Sequence, residues 1–285
     1  MKRAGAAGAS FLDVIHPDNL KLIITSKAFK QRQGDDWRIN NPSGYKDYDL
    51  FVCYGGSAEF TLGGKRFLVK EGHGFLATPN APLYAVHKGP GTFDAIAQHF
   101  ELRLFGAADF FSLINYHHMV RFSNWDYVGA TLERFAALNM KREKTILQHS
   151  LFFSVLAEFI YDAFTAEKDS MIDHNYYFII KMMSYIDSRL IDDNAVNNAF
   201  SLSPYGYDYT AALFKKHVGM TPKRYFLNMR LRQSKDLLMQ GYSVREAAIH
   251  SGFKDELYFS RLFKKYERMS PSEYKQSILT AKESA

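Results

Sequence analysis

The stretch from Leu213 to Tyr225, LFKKHVGMTPKRY, recurs 49 residues later as LFKKYERMSPSEY, Leu262 to Tyr274. Leucine, phenylalanine, two lysines, methionine, threonine or serine, proline and tyrosine keep the same places, so one helical unit is used twice. Inside each copy an apolar pair followed by two lysines reads as the end of an amphipathic helix, its cations at the negative C-terminus. Thr221-Pro222 and Ser270-Pro271 read as an N-cap followed by proline at the first helical position, which starts a new helix each time. The repeat therefore demands two short helical modules, joined by a long helix from Thr221 to Gln240.

Ahead of the second copy, Ser243 to Phe253 spells a short helix stopped by Gly252. Asp255 then caps the helix that carries Tyr258, Phe259, Ser260 and Arg261. A small pair (Ala247, Ala248), a turn glycine and a capped helix are the parts of a tight helix-turn-helix. Together with Gly252-Phe253, Phe263-Lys264-Lys265 and the two Met-Thr/Ser-Pro-x-x-Tyr endings, these residues resemble the AraC/XylS family of bacterial transcription regulators over residues 174–278. The resemblance implies an all-α C-terminal domain with two helix-turn-helix modules and a promoter or operator duplex as partner. It also admits RNA polymerase as a further partner.

In the second module Phe259, Leu262, Phe263 and Tyr266 repeat at helical spacing and are expected in the core, while Leu257, Ser260, Arg261 and Lys264 share another face. Arg261 offers the fork that guanine O6 and N7 match, Lys264 suits a phosphate and Leu257 a thymine methyl. Lys254, Glu256 and Tyr258 complete the expected DNA contacts of this module; a merely solvated charged face is the alternative. Shifting back by 49 gives Asp208, Ala211, Ala212 and Lys215, with Lys216 beside them. The family usually places a long polar or basic side chain where Ala212 stands, and Pro204 to Tyr207 read as two or three extra residues in the turn. The first module is thus expected to supply position and shape reading more than base reading. On the joining helix Tyr225, Met229, Ser234, Leu237 and Leu238 are expected to face inward, with Arg230, Arg232 and Lys235 outside.

Charge supports a polyanion partner. The chain carries a formal +6, yet residues 211–268 alone hold thirteen lysines and arginines against five acids, leaving the remainder slightly acidic.

From about Asn19 to Glu101 short runs rich in Phe, Val, Ile and Thr (Leu22 to Ser26, Leu50 to Tyr54, Ala58 to Leu62, Lys65 to Val69, Gly74 to Thr78) are separated by glycine turns, as in a small β-sandwich or barrel. The glycine-punctuated hairpins resemble the cupin-like effector barrel that precedes many AraC-type domains. The fold class expected is α+β multidomain: a cupin-like β-barrel with amphipathic helices, then an all-α domain. A metal-binding cupin needs converging histidines and a carboxylate. Here His99 stands alone on its strand and His117-His118 are adjacent, so no metal and no cofactor are expected. A small organic effector such as a sugar is expected instead. Candidates around a barrel mouth are Trp37, Arg38, Tyr48, Tyr84 and His99, with Tyr45 and His87 beside them, since an aromatic face with a few donors holds polar small molecules. Taken singly, each of these aromatics is more readily explained by sheet or core packing.

Helical spacing follows, at Val128, Leu132, Phe135 and Leu138, then at Ile146, Leu147, Leu151, Val155, Phe159 and Ile160. These helices either form a homodimer interface or brace the barrel. Residues 1–18 are expected to be a frayed start, 19–168 the effector-binding and dimerisation domain with helices from about 126, 169–175 a linker and 176–285 the DNA-binding domain. The one cysteine, Cys53, rules out an internal disulfide and reads as a buried strand residue. No stretch reads as a signal peptide or membrane span, so no membrane partner and a cytoplasmic address are expected. Two rival classes stand beside the DNA-binding regulator. One is an enzyme fused to DNA-binding helices, such as a cupin oxygenase or a repair methyl acceptor. The other is a structural DNA-binding protein indifferent to sequence.

Overall fold

A computed structural model of the chain describes residues 19–33, 36–139, 145–165 and 174–283. The expected frayed start, 1–18, and residues 169–173 of the expected linker lie outside the described residues. The chain divides into two compact units between Asp173 and His174.

Among the described residues the N-terminal unit contains β1 (Leu20–Ile24), β2 (Phe29–Gln33), β3 (Arg38–Asn41), β4 (Tyr48–Gly55), β5 (Ser57–Leu62), β6 (Lys65–Lys70), β7 (His73–Ala77), β8 (Leu83–His87), β9 (Phe93–Leu104), β10 (Ala108–Asp109) and β11 (Met119–Arg121). They pair antiparallel into a seven-stranded sheet ordered β1-β9-β4-β7-β11, with β2 and β10 also on β9, and a four-stranded sheet ordered β3-β8-β5-β6. No ladder joins the two sheets among the described residues, so the arrangement is a sandwich rather than a closed barrel. The stretch from Phe105 to Trp125, which reads as a connection, contributes β10, a 3-10 turn at Phe110–Leu113 and β11.

Strand chemistry explains the layers. β5 alternates half-buried and buried residues, as a strand with one face on a core does. β4 is buried from Tyr48 to Cys53 because both of its faces are covered. Its Phe51 and Cys53 point between the sheets, into a core with Phe60, Val69, Phe75 and Phe93. Its Tyr48 lies on the opposite face, where its ring meets Phe100 and Phe111, and Phe100 in turn meets Phe152.

That second face is covered by α1 (Trp125–Asn139) and α2 (Thr145–Thr165). Val128, Leu132, Phe135 and Leu138 are buried, as their spacing predicts. On α2 the buried stripe runs through Phe152, Val155, Leu156, Phe159, Ile160 and Ala163, whereas Ile146 is 85% exposed. Val155, Phe159 and Ile160 are thus buried as expected, while Leu147 and Leu151 are half-buried and Ile146 lies outside the stripe, which is used on the sheet. Gly74 permits the approach, since a Cβ there would sit 2.9 Å from the rings of Phe122 and Phe159.

The C-terminal unit is helical: α3 (His174–Asp187), α4 (Ala195–Phe200), α5 (Tyr207–Val218), α6 (Pro222–Met239), α7 (Val244–His250), α8 (Glu256–Glu267) and α9 (Pro271–Glu283). Phe214 packs edge-on against Tyr225 in the first half. Ala247, Ala248, Phe253, Phe259 and Phe263 pack with Leu231 and Leu238 in the second, with Leu262 and Tyr266 at its margin. No helix among the described residues is long and apolar enough to cross a membrane.

Candidate nucleic-acid interface

The repeat extends through three successive helices. α4 and α7 begin 49 residues apart, α5 and α8 match at both ends with the same offset, and so do the prolines that open α6 and α9. No residues are inserted between the helix starts of the first module, which corrects the expectation of two or three extra; its turn, 201–206, exceeds 251–255 by one residue because α4 ends one residue earlier than α7. What differs is chemistry. In the second turn Gly252 takes φ +84°, and the Phe253 N–H donates back to the Ala248 carbonyl at 2.9 Å, closing α7 in the usual left-handed way. In the first turn the N–H groups of Ser201, Leu202 and Ser203 each donate to the carbonyl three residues back. Ser203 Oγ also accepts from the Tyr205 N–H and lies 2.7 Å from Thr210 Oγ1. A serine thus does the local work of the glycine.

Side-chain caps hold the helices of the second module, whereas α5 starts at Gly206 without one. Asp255 accepts from the N–H groups of Leu257 and Tyr258, and Ser243 with Glu246 forms a reciprocal capping box before α7. α5 and α8 both end in a left-handed residue, Gly219 and Arg268.

On α8 the expected division of faces is present. Phe259 and Phe263 are buried, while Glu256, Leu257, Tyr258, Arg261 and Lys264 are exposed and Ser260 is half-buried. Leu257, 72% exposed, is an apolar side chain held out in water at the helix start. Arg261 has only a long contact, from Nε to the Leu257 carbonyl at 3.4 Å. On α5, Asp208, Lys215 and Lys216 are exposed and Ala211 is half-buried. Lys254 differs from expectation: its Nζ is 2.6 Å from Asp193, so it reaches a phosphate only by exchanging partners. Tyr205, Tyr207 and Tyr209, which read from the sequence, with Lys215 and Lys216, as serving phosphate contact and positioning, are exposed in the turn and at the start of α5.

A family profile described as "Helix-turn-helix domain" matches residues 203–277. Residues 203–277 are a helix-turn-helix domain of the AraC type. The chain is 37% identical over 67 residues to an uncharacterized HTH-type transcriptional regulator of Haemophilus influenzae, covering 23% of this chain and 22% of that protein. It is 35% identical over 107 residues to an uncharacterized response regulatory protein of Staphylococcus epidermidis, covering 37% and 43%. The chain thus spans less than half the length of these curated relatives. A crystal structure of ToxT from Vibrio cholerae with bound unsaturated fatty acid is similar over 90% of this chain and 94% of its own, at 14% identity and a TM-score of 0.37.

Within the AraC-type domain one buried cation ties the modules together. Arg230 of α6, expected to face outward, is buried instead. Its Nε donates to the Leu190 carbonyl at 2.6 Å and its Nη2 to Asp193 at 2.9 Å, while the guanidinium lies over the Phe226 ring at 4.1 Å. Asp193, just ahead of α4, also takes Lys254 from the turn of the second module, and the two cations hold its carboxyl below the usual range. Gly252 lies against this guanidinium: a Cβ there would come 2.8 Å from Arg230 Nε and 2.6 Å from the Leu190 carbonyl. A second brace is Arg224, stacked 3.6 Å over Tyr266. Arg232 is exposed as expected, and Lys235 pairs with Glu267 at 2.9 Å.

The N-terminal candidates do not converge. Trp37 packs between the sheets on Phe60 and Phe93. His99 is on the same inner face but six residues along β9 from Phe93, about 20 Å at strand rise. Tyr48 lies on the opposite face of that sheet, its hydroxyl donating to Asp109 at 2.8 Å. Arg38 and Tyr84 are exposed on the outer face of the four-stranded sheet. The cause is strand alternation, since neighbouring positions on one strand face opposite ways. What the fold does gather is His99 with Asp47, 2.9 Å from its Nδ1, Asp49, 3.4 Å from its Nε2, and the edge-on ring of Tyr45. Thr25 donates to Asp47, and Asp49 Oδ1 is buried without a hydrogen-bond partner.

Proposed function

We propose that the chain is a sequence-specific DNA-binding transcription regulator whose N-terminal sandwich responds to a small organic molecule. The observation that carries this reading is the duplicated helix-turn-helix whose helix starts keep one offset, with an exposed arginine and lysine on the presented face of α8. Two recognition helices of one rigid domain are suited to successive major grooves about 34 Å apart. The effector reading rests on the His99, Asp49 and Tyr45 group on the inner face of the larger sheet, a set of acceptors and one ring suited to a ligand bearing hydroxyl or amino groups. Cys53 is no candidate methyl acceptor: its thiol is buried and pushed up to about 11 by desolvation, which keeps it protonated and unreactive. A protein that finds its promoter this way works in the cytoplasm alongside the DNA.

Binding measured on a duplex selected by the full-length chain tests the reading. Arg261→Ala is expected to cost about 1–3 kcal/mol and to relax preference at one or two base pairs. Lys215→Ala is expected to weaken all sequences alike and to lower the slope of log K against log salt by about one. Equal loss on selected and random DNA for Arg261→Ala would sink the sequence-specific reading in favour of a structural DNA-binding protein.

We further read the N-terminal unit as the dimerising part, supported by Tyr127, Ile146 and Tyr161, which remain exposed on α1 and α2 beside the stripe that braces the sheet. A fragment ending at Ala166 is expected to sediment as a dimer at tens of micromolar. A monomer would mean that the helices only brace.

A further inference from the structure

The AraC-type domain carries an aromatic patch that the reading above leaves unused. Tyr205, Tyr207 and Tyr209 are 39%, 53% and 56% exposed in the turn and first turn of α5. The Tyr207 ring stacks on Phe200 at 4.0 Å and 24°. Tyr209 meets Tyr205 edge-on at 5.0 Å, and Tyr205 meets Phe178 at 5.4 Å. These rings are thus held in place before any partner arrives, and rings with only two rotatable bonds lose little entropy when they are covered. Large apolar surface kept in water and rigid marks an interaction site.

Helical spacing puts Tyr207 and Tyr209 on the two flanks of the strip formed by Asp208, Ala211, Ala212 and Lys215. The offset of 49 superposes this strip on Leu257, Ser260, Arg261 and Lys264 of the second module, and Tyr209 on Tyr258. If α8 lies in a major groove, the strip on α5 faces one too. Its centre consists of methyl groups, which let the helix come close to the base edges, and it lacks a long donor for guanine. In the major groove the apolar partner for such a surface is the C5-methyl of thymine. Asp208 repels phosphate and accepts hydrogen bonds, so it favours the amino group of a base edge over the backbone.

We infer that the first module reads thymine, through contact of Ala211, Ala212 and the rings of Tyr207 and Tyr209 with its C5-methyl group, whereas the second reads through the hydrogen bonds of Arg261. The inference rests on the DNA-binding reading above and names the chemistry of its first half-site.

The test uses the full-length chain and a duplex it selects from a random pool. Arg261→Ala identifies the half-site under the second module as the one whose base preference relaxes. Deoxyuridine is then placed for thymine in the other half. Each contacted methyl removed is expected to weaken binding about threefold to fivefold, the effect of one buried methyl group. Tyr209→Ala and Tyr207→Ala should weaken the thymine duplex and shrink the deoxyuridine penalty, while Tyr209→Phe keeps it. Tolerance of deoxyuridine throughout that half, with Arg261→Ala still relaxing the other, overturns methyl reading alone. A chain that selects no sequence overturns the regulator reading and this inference together.

Discussion

Arg230→Ala is expected to destabilise the C-terminal domain by about 2–4 kcal/mol, from a lost partner for the Leu190 carbonyl and the lost stack on Phe226. The remaining Asp193 is half-exposed and keeps Lys254, so the change does not strand a buried charge, and the cost falls below that of breaking a fully buried pair. Arg230→Lys should recover only part, because an ammonium cannot serve a carbonyl and a carboxylate in one plane while stacking on a ring. Urea unfolding followed by far-UV circular dichroism reads the helical domain together with α1 and α2. Tryptophan emission reads the other unit separately, since both Trp37 and Trp125 lie there. An Arg230→Ala protein whose helical transition is unmoved would show that the guanidinium is incidental to the domain.

The second large effect lies in the sandwich and depends on pH. Burial raises the Asp49 carboxyl from 3.8 to about 7; His99 favours its charged form and Asp47 opposes it. Between those two values the folded chain keeps a proton that the unfolded chain has released. The stability contributed by Asp49 is therefore full below about pH 4 and is lost as pH rises through about 7. At about 1.4 kcal/mol per unit the interval from 3.8 to about 7 amounts to about 4 kcal/mol. Asp49→Asn removes the titration, so the variant is expected to be more stable than the parent at pH 8 and similar to it at pH 4. Tryptophan-monitored urea titrations at the two pH values check this, with His99, Asp47 and Tyr45 unchanged around the site. An unaltered gap between the two pH values in Asp49→Asn would assign the pH dependence to other groups.

The helical half was legible because its determinants are local. Caps, the Thr-Pro and Ser-Pro starts and the spacing of Phe259 and Phe263 act within one or two turns, and duplication let one copy check the other. Arg230 was misread for the opposite reason. Its partners, Leu190 and Asp193, are 40 and 37 residues away, and on a helical wheel a buried arginine looks like any outward cation. In the N-terminal unit the strands near glycine turns were visible. The choice of sandwich over barrel and the strand order were not, because β9 serves β1, β2, β4 and β10 through pairings that no local pattern encodes. The effector candidates do not gather as one set, although His99 and Tyr45 do meet. Composition singled out aromatics, but alternation scattered Tyr48, Tyr84 and Trp37 over different faces, and the group that did assemble around His99 uses two aspartates from neighbouring positions on the chain.

The pairing of Lys254 with Asp193 and of Lys235 with Glu267 bears on how this domain would search a chromosome. Cations already neutralised within the protein displace fewer counterions from a duplex, so they add little to its grip on arbitrary DNA. A chain with weaker hold on random sequence leaves wrong sites sooner. Its residence time then depends more heavily on the few side chains that touch base edges than its thirteen basic residues between 211 and 268 would suggest.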